Sequence, residues 1–561
     1  MLRILAPLFM LCLPAIAAAQ TLAPAPVSAY AAVPTASHPA LAPDGGRLAF
    51  GHTRPDGGKD VVILDLKDGK PARIGLRDMR LESLQFEEDG RLLAEASQYY
   101  SNLGAFDFSG WITRTYAVRM PDAVIRVLLG REEEGNRLVS GARFVSQLDG
   151  QPGQVALETY DRTMNTPTWN LFRAGVTGDQ PVVIGRGLLI TTGWGVSAAG
   201  EPIVRVDHDL KTRTTTLLMR RGGDWTPVLT ETNEPSPSVD LLGPLDQTGF
   251  LIRRTGRART GAFERLNLST GALSPAVQGE GVPLRGAWLD PWTSTVAGIR
   301  FGGAEPGVAW LDPDLGRVEA DLRAALNGPA RLQSWTKDRS TFAVLLEGAA
   351  QPPVLYLYDD KAKRLRELIR GNPGLAGVPL GARRVERLDG PPDVTVPVAL
   401  TFPPGADEPK GRPAVVLLRA NLFDAWHDEP TTFDWLGQFL ASRGYVVIEP
   451  AAIQLSNSAD PMKTTTYEQW APVATGRVAA ALELARAKGW ADPARTCVIG
   501  RDFMFLIALE SALRTENRIG CLVGVDGIAD LASVLDDYRD AARSDLGRHV
   551  DFGLGFFKDQ F

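Results

Sequence analysis

The sequence predicts two folded parts: a β-propeller of about seven blades over residues 30–375, then a parallel α/β sheet over residues 383–561. Three observations carry this. Strand–turn–strand units recur along the first part every ~45–50 residues, the length of a four-stranded blade. After Arg370, short apolar strands alternate with stretches of helical periodicity. A chain of 561 residues also exceeds what one ordinary core can serve, so more than one domain is required.

The first twenty residues have the form of a secretory signal. Arg3 supplies the positive start, Ile4 to Ile16 are mostly apolar, and Ala17-Ala18-Ala19 offers a cleavage site before Gln20. The apolar run is short for a spanning helix and contains Pro7 and Pro14. Residues 1–19 are therefore expected to be removed, leaving an exported, periplasmic protein with no membrane span. Hydrophobic content of 44% and charged content of 22% suit a soluble globular chain, and a formal charge of −6 offers no basic surface for nucleic acid. No zinc spacing, phosphate-binding glycine loop or EF-hand occurs, so no cofactor or metal is expected. Cys12 leaves with the signal, and Cys497 and Cys521 remain. An oxidising compartment opens a disulfide to them. A bridge between adjacent parallel strands is awkward, however, and two buried free thiols is the favoured expectation.

The propeller units appear in order. His38 to Phe50 gives strand, turn at Asp44-Gly45-Gly46, and strand; Val61 to Leu66 follows, closed by Lys67-Asp68-Gly69. The cadence returns at Leu84 to Leu93 around Asp89-Gly90, at Leu245 to Leu251, and at Leu266 to Gly271. Further echoes are Trp288-Leu289-Asp290, Trp335 to Asp338, and Val354 to Tyr358 before Asp359-Asp360. One blade cannot bury both faces, so neighbours must stack around a channel.

The second part opens with a hairpin over residues 383–403, turning at Asp389-Gly390. Strands are expected at Pro413–Leu418, Tyr445–Ile448, Cys497–Ile499 and Cys521–Val525. Helices are expected at Phe433–Ser442, which Gly444 ends, and at Val473–Lys488, Phe503–Arg514 and Ile528–Arg543.

Thr496 to Phe505 has the layout of a nucleophile elbow, a buried strand running through a sharp turn into a helix. Together with Phe439-Leu440-Ala441-Ser442-Arg443-Gly444-Tyr445-Val446-Val447, Asp492 to Gly500 and Gly524 to Leu531, this segment resembles the prolyl oligopeptidase family of serine peptidases. The likeness covers most of the mature chain in architecture and residues 383–531 in sequence. It implies a propeller joined to an α/β-hydrolase domain, and hydrolysis of short peptides, often beside proline.

The functional positions depart from that pattern. Where the elbow reads G-x-S-x-G, this chain has Asp502 for the serine and Met504 for the second glycine, which is expected to crowd the close approach of helix and strand. The family's H-G-G-P turn corresponds to Arg419-Ala420-Asn421-Leu422, and its R-G-S turn falls near Ala451-Ala452-Ile453. The last two strands of the hydrolase sheet, which precede the acid and the histidine, have no counterpart, so a C-terminally truncated α/β-hydrolase domain is expected. His38, His52, His208, His427 and His549 lie outside any general-base motif. A serine hydroxyl needs a histidine to take its proton and an acid to orient that histidine. Losing such a triad costs ~10⁶ in turnover. Asp502 as an alternative nucleophile, with Asp526 as a relocated acid, would form an ester that nothing hydrolyses; as a cap on the helix starting at Phe503 it needs no such partner.

The expectation is a pseudoenzyme with no catalytic residues. Its candidate pocket comprises Arg419, Asn421, Arg501, Asp502 and Phe503, and its partners are peptides or proteins bound between the two domains. The alternative is an active peptidase with an atypical or externally completed site. Strand Cys521–Val525 is expected to form a bare sheet edge. Residues 529–561 or a partner would cover it, and deleting 546–561 is expected to cause aggregation.

Overall fold

The computed structural model describes residues 24–530 apart from 33–35, 55, 101–109, 121, 130–140, 149, 162–167, 178–180, 235–236, 256–261, 277–283, 302–306, 391–393, 419–431, 451–466, 502–503 and 515–518. The expected signal peptide and the tail beyond Asp530 lie outside the described residues. Among the described residues no helix is long and apolar enough to cross a membrane.

Seven antiparallel sheets form the blades of a propeller, at residues 37–75, 80–127, 143–185, 191–231, 239–275, 284–310 and 330–370. Recurrent aspartates build the hairpins between their strands. Asp44 Oδ1 accepts from Gly46 N (2.8 Å), Asp89 Oδ1 from Arg91 N (3.0 Å) and Asp246 Oδ1 from Thr248 N (2.7 Å). Each carboxylate fixes its own turn two residues on. In two of these turns the adjoining Gly45 and Gly90 take the left-handed conformation, at φ 69° and 82°.

The inner strands are β1 (Ser37–Leu41), β2 (Arg80–Phe86), β3 (Arg143–Gln147), β4 (Thr191–Val196), β5 (Val239–Asp246), β6 (Leu284–Leu289) and β7 (Ala330–Trp335). They line the central channel. Blade 6 departs from the expected four strands. Among the described residues it has three, and a helix follows them, Pro313–Leu326. Asp312 caps that helix, with Pro313 in its first turn, and Leu315, Val318 and Leu322 bury into a core shared with blades 1, 2 and 7.

Among the described residues no strand is exchanged between the first and last blades. Side-chain packing of Leu41, Leu48 and Phe50 on Ala343 and Leu355 joins them, with Leu41 N donating to Ser334 Oγ (3.0 Å) and Lys337 N to Pro43 O (3.2 Å).

The second domain is a six-stranded sheet. Its strands are β8 (Arg383–Gly390), β9 (Val394–Thr401), β10 (Arg412–Leu418), β11 (Val446–Pro450), β12 (Ala491–Arg501) and β13 (Cys521–Val525), in the order β8-β9-β11-β10-β12-β13. The last four in that order run parallel, and β8 and β9 add an antiparallel pair. Alternate side chains serve opposite faces. Val416, Leu418, Ile448 and Val498 pack under the helices Tyr467–Ala487 and Met504–Arg514, while Leu417 and Val447 meet Ala441 of the helix Trp435–Ser442. The helix expected from Ile528 does not begin there: Ile528 to Asp530 is non-helical, and the remainder lies outside the described residues.

One helix and the N-terminal arm tie the domains together. Tyr30, in the short helix Val27–Tyr30, is fully buried and stands edge-on to Phe439, with ring centres 5.8 Å apart. Arg443 Nη2 donates to Ala25 O (2.8 Å). Gln438 Nε2 donates to Gly381 O (3.0 Å) and to Ala349 O of blade 7 (2.9 Å). Asn372, just past blade 7, donates through Nδ2 to the carbonyls of Ala29 (3.2 Å), Tyr30 (2.8 Å) and Ala32 (3.1 Å).

Candidate functional site

Open α/β sheets bind ligands beyond the carboxyl ends of their parallel strands. At that edge β12 ends at Arg501 and the next helix starts at Met504. Two residues separate the strand from the helix. Those two, Asp502 and Phe503, lie outside the described residues, as do Arg419 and Asn421 beyond β10. Of the five candidate pocket residues only Arg501 is described, and it is exposed.

The tightness of the turn rests on one glycine. A Cβ on Gly500 would fall 2.5 Å from Phe505 Cα and 2.7 Å from Met504 O. Both are backbone atoms, so no side chain fits there. Met504 does not crowd this approach as expected. Its side chain turns into the core with Val498 and Ile507 and is wholly buried. Phe505 fills the space over β13, where a Cβ on Gly527 would lie 2.6 Å from its Cγ and one on Gly524 3.0 Å from its ring. Asp526, weighed as a relocated acid, is exposed and adopts the left-handed conformation at φ 50°.

The described histidines belong to the propeller. His38 is on β1, His52 on the strand Arg47–Thr53 of blade 1, and His208 on the strand Pro202–Asp209 of blade 4. His208 is buried with Nδ1 2.9 Å from Thr215 Oγ1, and burial holds its pKa below the usual histidine value. His427 and His549 lie outside the described residues. Among the described residues, then, no imidazole belongs to the domain that carries the elbow. No cluster of metal-ligating side chains occurs among them either.

The cysteines correct the expectation of two buried thiols. Cys497 of β12 and Cys521 of β13 pair in direct register, with Cα atoms 4.6 Å apart, and the structure joins them in a disulfide. In-register partners project to the same side of the sheet, which answers the geometric objection to a bridge between parallel strands. Cys521 is exposed rather than buried. The bridge fastens an edge strand to the elbow strand. Among the described residues β13 pairs with β12 only, and Val523 and Val525 on it are 41% and 42% exposed.

No protein-family model and no curated protein matches the chain. Solved structures do. Puromycin hydrolase is similar with a TM-score of 0.62 and 16% identity, over 95% of this chain and 83% of its own. A Mycobacterium tuberculosis puromycin-hydrolyzing peptidase gives 0.56 at 17% identity, over 94% of this chain and 82% of its own. Pyrococcus horikoshii acylaminoacyl peptidase gives 0.56 at 12% identity, over 88% and 78%. At such identities the likeness is one of fold, and it extends across both domains. The chain shares the overall fold of peptidases of the prolyl oligopeptidase family.

Proposed function

We propose that this chain is an exported, non-catalytic relative of the prolyl oligopeptidase family that binds peptides or protein partners between its two domains. One observation carries the reading. Two residues separate β12 from its following helix, Gly500 leaves no room for a side chain against that helix, and we read this unit as an elbow in whose sequence Asp502 takes the place of the nucleophilic serine. We read the six-stranded sheet as an α/β-hydrolase domain on its strand order and this elbow. The shared fold with known peptidases supports peptides as the ligand class.

The chemistry follows from the side chain. A carboxylate carries no proton for a histidine to remove, so it cannot become the alkoxide that attacks an amide. At a helix N-terminus it is well held by backbone N–H groups and the helix dipole. The test is incubation of the mature protein with a mixed peptide library and, separately, with a fluorophosphonate probe. Retention of peptides without cleavage, and no labelled serine, is the expected result. Cleavage or covalent labelling of the isolated protein overturns the reading.

A second reading, an active peptidase with an externally completed site, draws on the exposed outer edge of β13. A partner strand adding there would extend the sheet beside the elbow. Fluorophosphonate labelling that appears only in a complex would mark that case.

A further inference from the structure

Ala330, Leu346, Val354 and Arg370 lie in one row across blade 7, so β7 starts at the end where the chain departs for the second domain. The bond from Gln438 to Ala349 joins that same end to the helix Trp435–Ser442. The inner strands thus run from the domain-facing end to the far end. At the far end, the loop after β6 reaches over the channel. Gln85 Nε2 of β2 donates to Pro291 O (3.1 Å), and Ser294 Oγ lies 3.5 Å from Gln147 O of β3. Blades 2 and 3 stand across the ring from blade 6, so these contacts span its axis.

The loop is anchored as well as extended. Asp290 accepts from Trp292 N (2.9 Å), Thr293 N (3.1 Å), Trp335 Nε1 (3.3 Å) and Arg339 Nη2 (3.0 Å). Trp292 is 5% exposed and donates through Nε1 to Trp335 O (3.0 Å). Lys337 Nζ of blade 7 reaches Glu88 of blade 2 at 2.6 Å. The loop is thus a plug tied to blades 2, 3 and 7.

On the domain side of that plug lies a cavity of about 160 Å³. Phe86, Phe144, Trp288, Trp292, Pro39 and Pro291 are among the residues that line it. The polar groups in the wall are mostly committed. Asp290 accepts the four bonds above, and Ser334 Oγ accepts from Leu41 N. Gln333 of β7 differs: it lines the cavity, is half-buried, and its carboxamide makes no hydrogen bond to another described residue. A cavity of about 150 Å³ has room for one benzene-sized molecule. The carboxylate in the wall, Asp290, already faces Arg339 Nη2 at 3.0 Å, so it has little left to offset the cost of burying a second charge.

We propose that this blind end of the channel binds one uncharged, ring-bearing side chain, aromatic or proline, at the leading end of a peptide entering from the domain side. The Gln333 carboxamide bonds the peptide backbone behind the ring. This rests on the peptide-binding reading given above and extends it to a site outside the α/β domain.

The test uses the mature protein, with N-acetyl-phenylalaninamide as probe and N-acetyl-lysinamide as charged control, followed by Trp fluorescence and saturation-transfer NMR. The phenyl probe is expected to bind saturably at one site, and the lysine analogue at least ~tenfold more weakly. Gln333→Trp fills the cavity and is expected to abolish binding at an unchanged melting temperature. Should that variant melt early, Val145→Phe fills the same space from β3 and takes its place. Gln333→Ala is expected to weaken the phenyl amide while sparing toluene. No saturable binding by the wild type, or equal binding by a filled variant, overturns the proposal. Library peptides held equally well by the filled variant also overturn it and leave the peptide-binding reading standing elsewhere on the molecule. A bound ring probe with no peptide retained upholds the pocket and sinks the peptide reading.

Discussion

Replacing Asn372 by glycine will loosen the joint between the N-terminal arm and the exit from blade 7. Asn372 is 3% exposed, with φ at 49°, and its Nδ2 reaches the carbonyls of Ala29, Tyr30 and Ala32 at 3.2, 2.8 and 3.1 Å. Two N–H groups serve three acceptors, so the side chain counts as two bonds, worth about 1 kcal/mol each. Glycine keeps the left-handed backbone without strain and removes only those bonds. The arm is then expected to open about thirty-fold more often, the equivalent of about 2 kcal/mol. Alanine removes the same bonds and adds about 1 kcal/mol for a Cβ in the left-handed region, a further fivefold or so. Hydrogen exchange at Ala29 N and Ala31 N, which close the arm's single helical turn onto Pro26 O and Val27 O, reads the opening directly. Unchanged exchange in the Asn372→Gly protein would refute the reasoning, because the arm would then be held by Tyr30 and Arg443 without help from the amide.

Three further outcomes are expected. Glu87 in blade 2 is buried, and desolvation pushes its carboxyl up to about 8 despite N–H bonds from Gly153 and Glu88. Its folded value lies above the ~4.3 of an unfolded glutamate, so its stabilising contribution is full below that pH and is lost as pH rises through about 8. Melting temperature should therefore fall between pH 5 and 9, and Glu87→Gln should flatten that fall; superimposable profiles would count against it. The oxidised mature protein should titrate no thiols, and reduction of the Cys497–Cys521 bridge, which spans 24 residues, should cost about 3 kcal/mol in denaturant unfolding. Two reactive thiols in untreated protein would contradict this. Met504→Gly restores the motif glycine but empties a fully buried site, and is expected to destabilise by about 2–5 kcal/mol, read as a lower urea midpoint, with no gain of hydrolysis.

The propeller was readable because its punctuation is local. Asp44, Asp89 and Asp246 each bond a backbone N–H two residues away, so a turn announces itself within a few letters. The helix Pro313–Leu326 escaped notice for the converse reason. Asp312-Pro313 and the spacing of Leu315, Val318 and Leu322 signal it, but an expected cadence of strands conceals a helix that takes the place of one. The helix Tyr467–Ala487 begins earlier than its apolar pattern suggests because it runs through Pro472, which reads as a boundary. The close approach of strand and helix was legible in Gly500. The disulfide was not, since it depends on the register of β12 against β13. The plug was further from reach: Gln85 and Pro291 are 206 residues apart, and no local pattern encodes such a contact.

Closed as proposed, the loop at Pro291–Trp292 turns a tunnel into a vestibule with one door. Arrival and departure become the same journey in opposite directions. By microscopic reversibility, narrowing that door slows both alike and leaves the equilibrium where it was. A substitution at the rim that shares no atoms with the occupant should alter how long exchange takes, not how much is held. Only residues facing the occupant itself can move the balance.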